Sequence, residues 1–392
     1  MKVFRGFHHP GIAPACALTI GNFDGVHRGH QAMLALLRGE AAQRGVPSCA
    51  MTFEPHPRDY FAGATGNAAL APARIATLRD KLADLQRCGI DQVVVLPFDA
   101  RLASLSPQAF IDDVLVRGLG TRYVLVGDDF RFGAKRAGDY ALLDAAGTQK
   151  GFDVARMNSY EISYPHARHS VSSLPPEGAS VALGRPGGDG HGLRVSSSMV
   201  RAALHEGRME DAARLLGHPY HISGHVLHGR KLGRELGFKT LNLRFAHWKP
   251  AASGIFAVLV HGLTEPPPGR PKAASAPSGG SEDTSVPSVG AYGQPLRGVA
   301  NLGVRPSLDP NDVNGGRVLL ETHCLDWPAA LGAEGGYGKI IRVELLHKLH
   351  DELKYASLEA LTQGIHQDCD AARAWFASTH SETHRQTTRD RI

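Results

Sequence analysis

At 392 residues the chain is longer than one ordinary domain, and a composition of 42% hydrophobic and 21% charged residues suits two globular cores. The formal net charge of +5 fits a protein that handles phosphorylated ligands, and no Lys/Arg run is long enough to make a nucleic-acid tail. No stretch approaches the ~20 apolar residues of a membrane span, and Gly6, His8, His9 and Pro10 stand where a signal peptide needs an apolar run, so a cytoplasmic protein is expected.

Along the first half, short apolar runs alternate with helical patterns. Residues 15–20 read as a strand and 28–44 as a helix carrying Met33, Leu34, Leu36 and Leu37. Strands follow at 48–53 and 91–96, with an amphipathic stretch over 74–88 between them. Ser106 and Pro107 open a helix over 107–117 as N-cap and first helical residue. A strand at 123–126, a helix near 140–146 and a strand near 152–157 complete an α/β pattern, which predicts a Rossmann-like parallel sheet with helices on both faces. Ligands of such a sheet bind beyond the carboxyl ends of its strands.

Residues 165–192, rich in Gly, Pro, Ser and Ala, read as a flexible insertion. Helices return at 198–206 and 209–216 and stop at Gly217. From Tyr220 the pattern becomes short strands, at 220–227, 240–243, 254–261, 297–301, 317–324 and 339–346, which predicts a small antiparallel β-barrel. Residues 265–295 form a second, disordered insertion, 357–376 a closing helix, and the polar tail after it is expected to fray. The five cysteines are scattered singly, as reduced thiols are. The expected division is 1–217, 218–378 and a tail at 379–392.

The most informative segment is IGNFDGVHRGHQ, residues 20–31. A strand ends at Ile20, a glycine-bearing turn follows, and His27, Gly29 and His30 sit where a helix begins. Free backbone N–H groups and the positive helix end then face an anion beside two imidazoles. Gly29 lets a phosphate approach without a Cβ in the way. This suits nucleotidyl transfer, and nothing matches the G-x-x-x-x-G-K-[ST] loop of P-loop ATPases. His27-x-Gly29-His30 resembles the HxGH signature of nucleotidyltransferases. The longer GNFDGVHRGHQ, with FEPHP at 53–57, VGDDFRFG at 126–133 and RVSSSMVRAAL at 194–204, resembles the FMN adenylyltransferase module of bacterial bifunctional riboflavin kinase/FAD synthetases.

That resemblance implies that His27 and His30 hold ATP phosphates and the leaving pyrophosphate. It places Gly29, Asp129, Arg194, Ser197, Ser198 and Arg201 around the nucleotide, and Asn22, Asp24, Phe53 and His56 around the flavin. Met199 stands where many relatives carry a further Arg.

In the second half, GHVLHGRKLGRELGFKTLN at 224–242 joins a glycine-rich cationic loop to a strand on which Thr240 and Asn242 share a face. Their oxygens can hold Mg²⁺ together with ATP. Glu321 and His323 share a side of a later strand, where a carboxylate could accept the proton of an alcohol attacking a γ-phosphate. The order of these segments with GIFAV, GVANLGVRPSL and YGKIIRVELL resembles the riboflavin kinase module of the same family. It implies Glu321 as catalytic base, Arg234, Thr240 and Asn242 on ATP and metal, and Asn301 and Arg305 near the flavin. Lys239, Leu241 and His350 depart from the family pattern. ATP and flavins are the expected partners, with no nucleic acid or membrane, and the oligomeric state is not legible. An HxGH cytidylyltransferase or pantetheine-phosphate adenylyltransferase with an unrelated second domain is the alternative reading, which the second constellation disfavours.

Overall fold

The computed structural model describes residues 1–163, 192–228, 237–247, 249–264, 293–305, 317–332 and 334–389. Nearly all of both expected insertions, and Arg234, lie outside the described residues.

The N-terminal half is a six-stranded parallel sheet in the order β1-β4-β3-β2-β5-β6. Its strands are β1 (Lys2–Arg5), β2 (Cys16–Ile20), β3 (Ser48–Glu54), β4 (Gln92–Pro97), β5 (Thr121–Gly127) and β6 (Asp153–Met157). β2 is buried at every position and β4 at all but its last, as strands covered on both faces must be. Helices α1 (Arg28–Gln43) and α3 (Leu78–Arg87) cover one face through Leu34, Leu37, Ala41, Leu82 and Leu85. The other face packs Phe110, Ile111 and Val114, from the segment after β4, with Leu143 and Ala146. From β2 the chain winds outward in both directions, so the gap between β2 and β5 is the switch point where such sheets bind ligands.

The structure refines the expected elements in detail. The amphipathic stretch 74–88 is helical only from Leu78, and residues 74–77 lie outside any helix. The helix opened by Ser106 begins as α-helix over Pro107–Ala109 and continues as a wider π-type coil over Phe110–Gly118. Ser106 caps it as expected, its Oγ accepting from Ala109 N at 3.1 Å. Residues 57–65 form a further helix, α2 (Pro57–Thr65), with Pro57 at its first position.

A small hairpin, Glu161–Ser163 with Gly192–Arg194, leads into two short helices, Ser197–His205 and Met209–Leu216. The second half is a six-stranded antiparallel sheet. Tyr220–His225 lies at one edge and Thr240–Arg244 at the other. Between them run Arg317–Cys324, Leu296–Arg305, Gly254–His261 and Ile340–His350. Leu227 N donates to Asn242 O at 2.8 Å, which brings the two edges together and nearly closes a barrel.

The barrel interior is filled by Phe256, Val258, Leu302, Leu320, Leu241 and Leu243. The same cluster takes in Val200, Leu204, Leu215 and Leu216 of the two preceding helices, so the halves share apolar packing. The long helix Leu358–Arg389 closes the opposite face through Cys369, Ala372 and Phe376 on Ala257 and Val299. It extends past the expected end at 376 to Arg389, into the tail that was expected to fray. All five cysteines are free.

Candidate active sites

The first site grows from the carboxyl end of β2. The turn after Ile20 takes Phe23 and Val26 through positive φ and delivers His27 to the N-cap of α1. His27 Nδ1 accepts from His30 N at 3.4 Å, so the proton of a neutral His27 ring sits on Nε2. The His27 and His30 rings stack with centroids 3.7 Å apart. Burial holds His27 down to about 4, helped by Arg201, and holds His30 well below the usual imidazole range. The free site therefore presents two neutral imidazoles at neutral pH.

A Cβ on Gly29 would lie 3.2 Å from the His27 ring and 3.4 Å from Val195 O. Glycine thus lets the ring and the 194–204 segment close over the helix start, a tighter reason than access for phosphate alone. Nδ1 of His30 is buried without a hydrogen-bond partner.

Behind the histidines lies a buried charge cluster. Asp24 accepts from Ile75 N (3.2 Å), Ala76 N (3.1 Å) and Arg201 Nη2 (2.8 Å), and Arg74 Nε is 3.8 Å away. Burial pushes the Asp24 carboxyl up, but Arg74 and Arg201 outweigh it and the carboxyl is held below its usual range. Arg74 also pairs with Asp59 at 2.8 Å and approaches Glu54. Lys81, fully buried, donates to Thr52 Oγ1 at 3.3 Å, and Thr52 donates to Asn22 O at 3.2 Å, fixing the turn from the sheet side. Burial, with Arg74, brings Lys81 down to about 8.

The sequence reading missed Arg74, Asp59 and Lys81. A signal for Lys81 was present, because it falls among Leu78, Leu82 and Leu85 on the apolar stripe of α3.

The remaining expected residues are distributed around this core. Ser197 Oγ donates to Asp24 O at 3.1 Å, and Ser196, one residue earlier, is the helix cap. Ser198 is exposed, as is Asp129 just past the carboxyl end of β5. Arg194 is held by Asp128 at 3.3 Å on the small hairpin. Met199 packs against the apolar cluster shared by the two halves. His56 caps α2 much as His27 caps α1, its Nδ1 accepting from Arg58 N at 3.1 Å, and burial holds it down to about 3. Phe53 stands edge-on to Phe98, which also meets Tyr60 and Phe61. Asn22 is exposed on the turn. Asp24 is fully engaged by protein groups.

The second site lies on the outer face of the barrel, where the long helix also packs. Strand register sets Asn242 opposite Glu321 and Glu321 opposite Asn301, three polar residues in one row across adjacent strands. Thr240 lies opposite His323 one step along the same face. Oδ1 of Asn242 and Oδ1 of Asn301 are both buried without a hydrogen-bond partner. Buried amide oxygens left unpaired are costly unless a ligand satisfies them. His323 Nδ1 is 2.9 Å from Lys239 O, and Phe238 bridges edge-on between His323 and His366 of the long helix.

The donors here are oxygens, as a hard cation requires. Magnesium is commonly held by one or two protein oxygens with the rest from phosphates and water, so Thr240 and Asn242 fit it. The backbone of Arg305 ends its strand opposite Arg317. Of the three departures, Leu241 fills the barrel interior, Lys239 lies over the Trp327 ring at 5.4 Å, and His350 bonds Asp368 of the long helix at 2.7 Å.

A parallel α/β sheet with a helix-start anion site, joined to an antiparallel barrel with a row of polar residues, defines the class, and comparison with known proteins narrows it. Residues 10–173 match the FAD synthetase family model and residues 216–376 the riboflavin kinase model. The chain is 39% identical over 381 residues to the bifunctional riboflavin kinase/FMN adenylyltransferase of Escherichia coli K12, covering 97% of this chain and 99% of that protein. Its identity to the Pseudomonas fluorescens protein of the same name is 38%, over 96% of this chain and 98% of that one. For Haemophilus influenzae the figure is 35%, over 96% and 100%. The chain belongs to the bifunctional riboflavin kinase/FMN adenylyltransferase family. A crystal structure of a Streptococcus pneumoniae protein described as macrolide-efflux protein superposes with a TM-score of 0.62, covering 96% of this chain and all of that one; at 21% identity it speaks for the fold alone.

Proposed function

We propose that the chain makes FAD from riboflavin in two ATP-dependent steps, one in each half. What carries the reading is that each polar constellation falls inside the stretch matched by the corresponding family model: His27 and His30 within 10–173, Asn242 and Glu321 within 216–376.

In the barrel, the riboflavin 5′-hydroxyl attacks the γ-phosphorus of ATP, Glu321 takes its proton, and ADP leaves. Thr240 and Asn242 would hold Mg²⁺, which would supply charge neutralisation at the phosphates. Asn301, opposite Glu321, orients the flavin side of the pair.

In the parallel-sheet half, an FMN phosphate oxygen attacks the α-phosphorus of a second ATP and pyrophosphate leaves. That nucleophile is already ionised, so no base is needed. Positioning and charge stabilisation provide the catalysis. His27 donates from Nε2 to the departing phosphates, beside the N-terminus of α1 and His30. Arg201 spends Nε and Nη2 on Ala73 O and Asp24, which leaves Nη1 for the triphosphate. Ser197, Ser198, Asp129 and Arg194 line the nucleotide side. Phe53 and His56 face the flavin with Asn22, and Asp24 acts through the arginines it holds.

The test is a product assay with riboflavin, ATP and Mg²⁺ that separates FMN from FAD. The wild-type protein forms both, and His30→Ala accumulates FMN. FAD formation by His30→Ala at the wild-type rate refutes the assignment of the first site.

A further inference from the structure

Residues 73–76 lie between the two halves and belong to no helix or strand of their own. Their peptide groups are shared between the halves. Ala73 O accepts from Arg201 Nε at 2.7 Å, and Ile75 N and Ala76 N donate to Asp24, all on the side of the first site. Arg74 faces the other way: its N donates to Lys249 O at 2.8 Å and its O accepts from Ala251 N at 2.9 Å, a parallel bridge centred on Pro250.

Side chains repeat the pattern. The Arg74 guanidinium, 1% exposed, reaches Asp59, Glu54 and Asp24. Ile75 packs so closely under the catalytic turn that a Cβ on Gly25 would lie 2.7 Å from its Cγ2.

From the kinase half, His247 reaches the same place. Its Nε2 is buried without a hydrogen-bond partner, its ring meets Phe245 at 5.6 Å, and Arg74, Asp24 and Lys81 are close enough to act on its charge. Burial keeps this imidazole uncharged, so it adds no cation beside Arg74, Lys81 and Arg201. The backbone of Arg74 is thus anchored from the kinase half, while the peptide groups on either side of it bond to Arg201 and Asp24. A shift of residues 249–251 therefore passes through one residue to the pair that orients the phosphate-binding side of the first site.

We propose that Lys249, Pro250 and Ala251 of the kinase half are a positioning element of the adenylyltransferase site, with Lys249 O and the Ala251 N–H holding Arg74 and, through it, Asp24 and Arg201. The inference rests on the assignment of adenylyl transfer to the first site. The two halves are then coupled in structure: FAD synthesis depends on a kinase-half segment that takes no part in kinase chemistry.

The experiment uses the full chain with Ala251→Pro, which removes the N–H that Arg74 O accepts, and Ala251→Gly, which keeps it. Ala251→Pro raises the KM for ATP in FAD formation from supplied FMN about tenfold, while riboflavin phosphorylation stays within about twofold of wild type. Ala251→Gly retains most of the affinity. Unchanged FAD kinetics in Ala251→Pro overturn the proposal. So does a parallel loss of both activities in Ala251→Pro, because the segment would then serve packing alone. His30→Ala in the same assay separates the two failures. If it stays active, the first site is misassigned; if it is inactive while Ala251→Pro is normal, only the coupling fails.

Discussion

Asp24→Asn removes one negative charge while keeping the side-chain shape, and its cost can be worked from the contacts of the carboxylate. That group is 1% exposed, accepts two backbone N–H groups and an Arg201 bond of 2.8 Å, and lies 3.8 Å from Arg74 Nε. An asparagine oxygen can still accept from Ile75 N and Ala76 N, but its NH₂ group then confronts a guanidinium. Removing one partner of a buried ion pair costs about 3–5 kcal/mol. Arg74 keeps Asp59 at 2.8 Å, so the lower end applies, about 3 kcal/mol. That corresponds to a fall in Tm of roughly 6–12 °C. With Arg201 released from its orientation, FAD formation from FMN should drop about a hundredfold, which is about 2.7 kcal/mol of barrier. Riboflavin phosphorylation at 25 °C should hold within about twofold. The assays are thermal unfolding and chromatographic separation of FMN and FAD. An unchanged Tm with unchanged FAD formation would refute the reasoning, because a buried carboxylate between two arginines cannot be both isolated and idle.

Glu321→Gln keeps the barrel row intact but removes the proton acceptor; FMN formation from riboflavin should vanish while adenylylation of supplied FMN persists, and full kinase activity would take Glu321 out of its role. Acid should destabilise the fold through its buried imidazoles. Burial holds His27, His56, His218 and His247 down to about 4, 3, 4 and 3, whereas the unfolded chain takes up protons near 6.5. Their contribution to stability is complete above 6.5 and is lost as pH falls toward 4, on the order of 2 kcal/mol per histidine between pH 7 and pH 5. Asp80 and Asp84, pushed up to about 6 by burial, act in the opposite sense as they take up protons below pH 6, but they are fewer. Urea unfolding at pH 7 and pH 5 should therefore give a markedly lower stability at pH 5, and equal values would show that these imidazoles are not held neutral in the folded chain.

Much of this protein can be read one residue at a time. Local pattern marks β2, α1, β3 and β4 to within a residue or so, because their apolar periodicity and caps are properties of short segments. His27, Gly29 and His30 are legible for the same reason: a strand, a glycine turn and a helix start lie within a dozen residues. Thr240 with Asn242, and Glu321 with His323, are legible as pairs through the two-residue repeat of a strand.

Strand register alone decides that Asn242, Glu321 and Asn301 form one row, since they are far apart in the chain and meet only through pairing. The role of Asp24 is likewise tertiary. Beside an anion site in the sequence it reads as a ligand contact, whereas in the fold it is buried beneath Arg74 and Arg201, both distant from it along the chain. Residues 74–77 show the limit most plainly: amphipathic pattern extends a helix through them, but the backbone groups of Arg74 bond to the other half of the protein, and those of Ile75 and Ala76 to Asp24. Sequence determines the elements and the chemical groups they carry; long-range pairing decides which of those groups face a substrate and which hold the others in place, because a buried charge goes where its partners are.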